Sequence, residues 1–283
     1  MSEGASPARP SRNAGDLRIR VASAIVLIAL ALALTWAGGV WYRLLAAAVA
    51  GAVFYEWQAM RAARVKAAHR IVGAVLLALL LAALLAGLPT ANLIAILIAI
   101  LVTCVAHAFY ADAGGWVVSG IAYAGLSAIS LAALRGADQP GLWATLFLFA
   151  VVWATDIFAY FVGRSVGGPK LAPAISPGKT QSGALGGAVA GIAFGIAVAV
   201  LAGAPLALLA AAALGLSVVS QAGDLFESWL KRRNAIKDSS GLIPGHGGMM
   251  DRVDGLVAAA FAFFVVGAVA AGLDTPSHVL FSR

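Results

Sequence analysis

Apolar segments long enough to span a bilayer recur along the whole chain, and they constrain its fold more than any other feature. Hydrophobic residues make up 62% of the sequence and charged residues only 11%, whereas a soluble domain is roughly half apolar and about a quarter charged. A water-soluble core of this size cannot bury so much apolar surface, so the bilayer must be the main solvent. The sequence therefore predicts an all-α, polytopic integral membrane protein.

We count about nine transmembrane helices, since nine apolar segments come close to the roughly 20 residues that span a bilayer. They are residues 18–36, 40–60, 71–88, 91–110, 115–134, 141–163, 183–203, 205–229 and 255–273. Residues 1–16 are rich in Ser, Pro, Arg and Gly and predict a disordered cytoplasmic tail. Residues 17–135 then form bland N-terminal transmembrane helices, and residues 136–283 form a C-terminal transmembrane region with cytoplasmic loops 163–182 and 230–254.

Basic residues favour one topology, with the N-terminus inside and one crossing per segment. The inner side then receives Arg9, Arg12, Arg18, Arg20, Arg61, Arg64, Lys66, Arg70, Arg164, Lys170, Lys179, Lys231, Arg232, Arg233, Lys237 and Arg252. Only Arg43, Arg135 and Arg283 fall near the other side. This asymmetry satisfies the positive-inside rule and predicts a cytoplasmic N-terminus and an outer C-terminus.

The remaining composition excludes several classes of protein. The single cysteine, Cys104, allows no intrachain disulfide, and no histidine stands at a zinc-ligand spacing. The net charge of +7 indicates cytoplasmic loops and anionic headgroups rather than nucleic acid, because no basic stripe is interleaved with aromatic residues.

Two polar, glycine-rich segments, residues 156–183 and 221–255, lie on the same predicted membrane face. Together they hold half of the twelve acidic residues, namely Asp156, Asp224, Glu227, Asp238, Asp251 and Asp254. Ionisable residues in membrane segments are costly, so such a concentration of charge is a candidate functional site.

The first candidate group is Asp224, Glu227, Ser228 and Lys231, whose spacing places them on one helical face. A carboxylate, a hydroxyl and an ammonium group then line one wall near the membrane interface. A purely structural alternative is that Asp224 pairs with Lys231, or that it reaches the headgroups.

The second candidate group opens the last apolar segment, where Asp251 and Asp254 follow the glycine-rich sequence around His246. Acidic residues in a first turn also stabilise a helix as caps. Gly247 and Gly248 let backbone amides approach phosphate oxygens. Capping and ligand binding are compatible.

Cations surround these carboxylates at Lys231, Arg232, Lys237 and Arg252. A basic cluster beside a membrane can simply contact anionic lipid, but such an anchor gains nothing from interleaved aspartates. Carboxylates for Mg²⁺ together with Lys and Arg for phosphate are what nucleotidyl transfer requires.

The other polar segment contains SPGKT, in which Ser176, Lys179 and Thr180 predict a phosphate-contacting turn. We reject a Walker motif here, because its first glycine is replaced by Pro173 and no soluble strand precedes it.

The stretch from Ser228 to Asp254 resembles the signature of phosphatidate cytidylyltransferases, also called CDP-diacylglycerol synthases. The resemblance covers Ser228, Lys231, Arg232, Lys237, Asp238, Pro244, His246, Gly247, Gly248, Asp251, Arg252 and Asp254. The upstream GDLFES and the SPGKT segment also resemble this family, whereas Ser182 stands where the family has an acidic residue.

The resemblance implies an enzyme that transfers a cytidylyl group from CTP to phosphatidic acid, with Asp224 and Asp251 as metal ligands. We expect Mg²⁺ as the cofactor, a second, monovalent cation as a further candidate, a homodimer, and an inner-membrane site that faces the cytoplasm. The catalytic candidates are Asp224, Asp251, Lys231 and Asp254. The substrate-binding candidates are Asp156, Ser176, Lys179, Thr180, Ser228, Arg232, Lys237, Asp238, His246, Gly247, Gly248 and Arg252.

Two alternatives stay open. A transporter or channel would also carry charges at membrane depth, although its charges would be spread over both halves of the chain. A lipid kinase is the closest enzymatic rival. A CDP-alcohol phosphotransferase is discarded, because only Asp254 and Gly255 match the start of its motif.

Overall fold

The computed structural model describes residues 14–243 and 247–281, and this part of the chain is almost entirely helical. Its nine long helices are α1 (Ala14–Ala37), α2 (Gly39–Ala59), α3 (Ala67–Ala86), α4 (Thr90–Ala111), α5 (Trp116–Arg135), α6 (Gln139–Val166), α7 (Gln181–Ala202), α8 (Leu206–Arg233) and α9 (Met250–Ala271). A short helix, α10 (His278–Phe281), follows. Among the described helices, α3 to α9 are long and apolar enough to cross a membrane, which confirms the predicted class.

The helices differ from the predicted apolar segments mainly at their ends. Helix α1 begins at Ala14, inside the segment predicted to be a tail, and residues 1–13 lie outside the described part of the chain. Helix α8 continues to Arg233, four residues past its apolar segment. The whole candidate group from Asp224 to Lys231 therefore lies on one continuous helix.

A β-hairpin connects α6 to α7, where the sequence predicted a loop with a phosphate-contacting turn. Strand β1 (Lys170–Ala172) pairs antiparallel with β2 (Ser176–Thr180), so SPGKT is a strand. Pairing satisfies backbone groups that a polar connection would otherwise leave to solvent. Thr180 ends the hairpin and caps α7, because its hydroxyl accepts a hydrogen bond from the Gly183 amide at 3.1 Å.

Contacts between connections define one end of the helical bundle. Arg135 is the last residue of α5, and its Nε donates to the carbonyl of Thr35 near the end of α1 at 2.6 Å. The amide of Thr90, the first residue of α4, donates to Asp274, after α9, at 2.7 Å. Asp138 pairs with His278 at 2.6 Å. These residues all lie at junctions that follow an odd-numbered helix.

Asp138 also caps α6, since it accepts a hydrogen bond from the Gly141 amide at 2.9 Å. Burial raises the pKa of its carboxyl, but the hydrogen bonds from His278 and from Gly141 outweigh this and hold that pKa below its ordinary value.

The junctions after even-numbered helices meet at the opposite end. Arg61, after α2, donates to Asn234, after α8, at 2.6 Å. Lys66 donates to the carbonyl of Ala111 at the end of α4. Consecutive helices therefore alternate in direction, and the hairpin and the loop after α8 share one end of the molecule.

Glycines set the two close helix crossings that matter for the site. A Cβ atom added to Gly187 of α7 would lie 2.7 Å from the Thr155 carbonyl of α6, and one added to Gly223 of α8 would lie 2.9 Å from the Asp254 carbonyl of α9. Such small residues let membrane helices approach closely. The second crossing places Asp224 beside Asp254.

Candidate active site

Three carboxylates converge where α8 crosses α9. One oxygen each from Asp224, Glu227 and Asp254 lies within 4.8 Å of the other two. Glu227 is only 1% exposed, and its Oε1 is buried without a hydrogen-bond partner among the described residues. A buried carboxylate oxygen without a donor is costly. This cluster therefore offers the oxygen ligands that a divalent cation prefers, and such a cation would give the unpartnered oxygen of Glu227 a partner.

Lys231 links this cluster to the other predicted aspartate. Its Nζ contacts Asp251 Oδ1 at 2.6 Å and Glu227 Oε2 at 2.9 Å, and the Lys231 and Asp251 side chains are only 15% and 11% exposed. The structural alternative of an Asp224–Lys231 pair is absent among the described ion pairs, because Lys231 faces Asp251 and Glu227 instead.

Asp251 is held from a second side by backbone amides. Its Oδ2 accepts hydrogen bonds from the amides of Ser239 at 3.2 Å and Gly248 at 3.3 Å. Asp251 lies in the first turn of α9, where the helix dipole favours an acid. The N-cap residue of α9 makes no side-chain cap, and the amides whose hydrogen bonds Asp251 accepts precede the helix, so the hydrogen-bonding part of the capping interpretation is wrong. Asp251 thus stands next to the cluster of Asp224, Glu227 and Asp254, but its oxygens already have protein partners.

Asp224 joins the cluster to the hairpin. Its Oδ2 forms an ion pair with Lys179 of β2, and its Oδ1 lies 3.5 Å from the Ser228 hydroxyl. Lys179, predicted from SPGKT, therefore reaches the wall formed by α8.

A polar cavity of about 590 Å³ opens beside this ion pair. It is enclosed by α6, the hairpin, the start of α7 and α8. Five predicted site residues line it, namely Asp156, Ser176, Lys179, Thr180 and Asp224. Four further polar or charged residues that the sequence did not single out as site residues also line it: Tyr160, Arg164, Lys170 and Gln221.

Other predicted substrate residues lie at the margin. Arg232 is exposed and contacts the carbonyl of Ile175, in the hairpin turn, at 3.4 Å. Lys237 and Asp238 are exposed in the loop after α8. Arg252 is exposed and lines a separate apolar cleft, and His246 lies outside the described residues.

The glycine amides near His246 bond within the protein. The amide of Gly247 donates to the Ile243 carbonyl at 3.2 Å, in a left-handed turn with φ of 83°. The amide of Gly248 donates to Asp251. Binding of phosphate by these two amides stays a prediction that would require them to leave their present acceptors.

Sequence reasoning missed the residue that orders this loop, Glu56 of α2. Glu56 is 0% exposed, and its oxygens accept hydrogen bonds from the Ser239 hydroxyl at 3.0 Å and the Ser240 hydroxyl at 2.5 Å. They also accept the amides of Met249 at 2.8 Å and Met250 at 2.7 Å. A signal existed, because Glu56 is an acid inside an apolar segment, which marks a functional candidate.

The fold and the site define a polytopic helical membrane protein with a carboxylate cluster beside a polar cavity lined by cations. The chain belongs to the cytidylyltransferase family, whose model matches residues 18–270. It is 47% identical over 275 residues to the phosphatidate cytidylyltransferases of Brucella suis and Brucella melitensis, which covers 94% of this chain and 99% of each relative. The phosphatidate cytidylyltransferase of Bacillus subtilis is 38% identical over 57% of this chain and 61% of its own.

Proposed function

We propose that this protein transfers a cytidylyl group from CTP to phosphatidic acid, giving CDP-diacylglycerol and pyrophosphate. The names of its near full-length relatives support this activity. The contact of Asp224 with Lys179 connects this activity with particular residues, because it joins a cation-lined cavity to a carboxylate cluster.

The polar cavity suits the phosphates of CTP. Lys179, Lys170 and Arg164 supply positive charge at its walls, and the hydroxyls of Ser176 and Thr180 lie at the same strand. Cations positioned in this way stabilise the charge of a departing pyrophosphate. A cavity of about 590 Å³ falls within the size range of small-molecule sites.

The residues present fit a divalent cation, which we propose to be Mg²⁺. Asp224, Glu227 and Asp254 offer oxygens at a suitable separation, and Glu227 Oε1 has no described donor. When bound, the cation would supply charge neutralisation at the phosphate oxygens. Asp251 stays a predicted ligand, and its contact with Lys231 means that this lysine would have to move for Asp251 to coordinate the ion.

In the proposed reaction, an oxygen of the phosphatidic acid phosphate attacks the α-phosphorus of CTP, and the bond to pyrophosphate breaks. A phosphate monoester is already a nucleophile at neutral pH, so the protein mainly aligns the two substrates and neutralises charge. Lys231 lies between Asp251 and Glu227 and is placed to exchange one of these partners for a substrate phosphate.

We also propose that all nine long helices cross the inner membrane, with the N-terminus and the site on the cytoplasmic side. The alternation of helix directions and the placement of basic residues support this topology. The homodimer is likewise a proposal, which rests on the family resemblance.

The activity is tested with purified protein in detergent, phosphatidic acid, Mg²⁺ and CTP labelled at either the α or the γ phosphate. We expect α-label in the lipid and release of pyrophosphate. Transfer of the γ-label would instead indicate a lipid kinase. No transfer of either label at any Mg²⁺ concentration would favour a transporter.

A further inference from the structure

A second cavity lies among α1, α2, α5, α6 and α9, and its walls are almost wholly apolar. It has a volume of about 380 Å³ and includes Ala24, Ala31, Leu45, Phe149 and Val253 in its lining. We call it the apolar cleft. Its lining residues on α6 extend from Phe149 to Ile157, a distance of about 12 Å along the helix axis. The cleft therefore extends over about two helical turns.

The charged residues in the lining of the apolar cleft stand at one end of it. Asp156 and Arg252 line it there, at the end of the bundle that carries the hairpin and the loop after α8. An apolar channel whose charged end carries an arginine as well as the carboxyl group of Asp156 matches a phospholipid, whose acyl chain is apolar and whose phosphate can pair with the arginine.

Asp156 lines both the apolar cleft and the polar cavity, so the two spaces adjoin at this residue. On the opposite side, the rim residues Ile28 and Ile157 are 44% and 52% exposed. In a membrane such exposed apolar groups face lipid. The cleft thus lies between the bilayer and the site proposed for CTP.

We propose that the apolar cleft binds an acyl chain of the phosphatidic acid substrate and thereby directs its phosphate past Arg252 toward the polar cavity. This inference rests on the proposed function, and it identifies where that function holds its lipid. An acyl chain in a bilayer is already in an apolar environment, so the cleft selects a chain by the fit of its walls rather than by removing it from water. Turnover should therefore depend on the length of the acyl chain that the cleft accommodates.

The test fills the cleft from α1 with Ala31→Phe and, as a second variant, Ala24→Phe. Ala95→Phe is the matched control, because Ala95 is exposed on α4 and does not line the cleft. Each purified protein is assayed with dihexanoyl and with dioleoyl phosphatidic acid in the same mixed micelles. A phenyl ring that occupies the space of the acyl chain opposes binding of the long chain by overpacking, so the long-to-short ratio of kcat/KM should fall about tenfold. The KM for CTP and the ratio for Ala95→Phe should stay at wild-type values.

Two results would overturn the inference. One is an unchanged long-to-short ratio in both cleft variants that unfold at the wild-type temperature. The other is an equal loss of activity with both lipids, which would indicate that the cleft only holds helices together or contains a structural lipid. Wild-type protein that converts neither lipid would instead refute the proposed function, so the two failures are distinguishable.

Discussion

At the scale of single residues, the site depends on carboxylates whose surroundings differ sharply. Asp251 has a lysine and two amides as partners, whereas Glu227 has a buried oxygen without a described donor. The surroundings of Asp224 are intermediate, since its carboxylate forms an ion pair with Lys179 and is partly exposed. All three residues carry a carboxyl group, but their different surroundings mean that they need not have the same role.

Asp224→Asn and Asp251→Asn should each lose most turnover, because both remove negative charge from the proposed phosphate and metal site. We expect kcat to fall by about 10²–10³, the usual cost of one electrostatic group in an active site. The control is Asp112→Asn, an exposed acid after α4. Initial rates are measured over a range of Mg²⁺ concentrations, and near-normal rates for either variant would remove that residue from the site.

Glu56→Ala should destabilise the protein and abolish most activity, although Glu56 belongs to the N-terminal half. The change leaves four hydrogen-bond donors without their acceptor, and breaking a buried charged network costs about 3–5 kcal/mol. Ser240→Ala removes only one of these bonds and is the graded control. Thermal unfolding in detergent and kcat are both measured. Wild-type values for Glu56→Ala would show that the loop is ordered by other contacts.

At the scale of helices, the position of the carboxylate cluster is set by the crossing of α8 and α9. Gly223 brings the two helices together, and any side chain there would press on the backbone of Asp254 and on Ala258. The packing of these two helices and the position of the carboxylate cluster thus both depend on Gly223.

Gly223→Ala should therefore reduce activity at least tenfold, since an added Cβ would lie 2.5 Å from Ala258 Cβ and must separate the helices. Overpacking of this kind costs about 1–3 kcal/mol. Gly215→Ala provides a matched control in the same helix, because a Cβ at Gly215 meets no atom within 4 Å. We expect that variant to match or exceed the wild-type unfolding temperature. If both variants behaved alike in activity and in unfolding, the crossing would not control the site.

The sequence predicted those features that depend on local pattern. The length of the apolar segments predicted the long helices. The spacing of Asp224, Glu227 and Lys231 predicted that these residues share one face of a helix, which is α8. Partners that are distant in the chain could not be predicted, because they follow from helix crossings. Glu56 meets its donors more than 180 residues away, and the pairing of Lys179 with Asp224 depends on a hairpin that was expected to be a turn.

At the scale of the whole molecule, polar contacts between connections gather at the two ends of the bundle, and the proposed active site occupies one of them. The pairs Arg61–Asn234 and Asp138–His278 stand at opposite ends. The membrane face that carries the proposed site therefore depends on the number and order of the helices that cross the membrane.

Cysteine labelling tests this sidedness in a Cys104→Ala background. Ala137→Cys, in the exposed connection after α5, should react with a membrane-impermeant maleimide in intact spheroplasts, whereas Arg64→Cys, exposed after α2, should react only after lysis. The reverse pattern would place the site on the outer face. Equal labelling of both variants in intact spheroplasts would contradict a single topology.

The bonds of Glu56 also bear on the order in which the protein is made. This carboxylate belongs to the second helix, whereas its four donors lie between Ser239 and Met250. A growing chain on the ribosome consequently carries an acid without these partners until the ninth helix emerges. The contacts of Glu56 therefore cannot form before residues 239–250 have been synthesised, so the ordering of the loop before α9 depends on a carboxylate made much earlier.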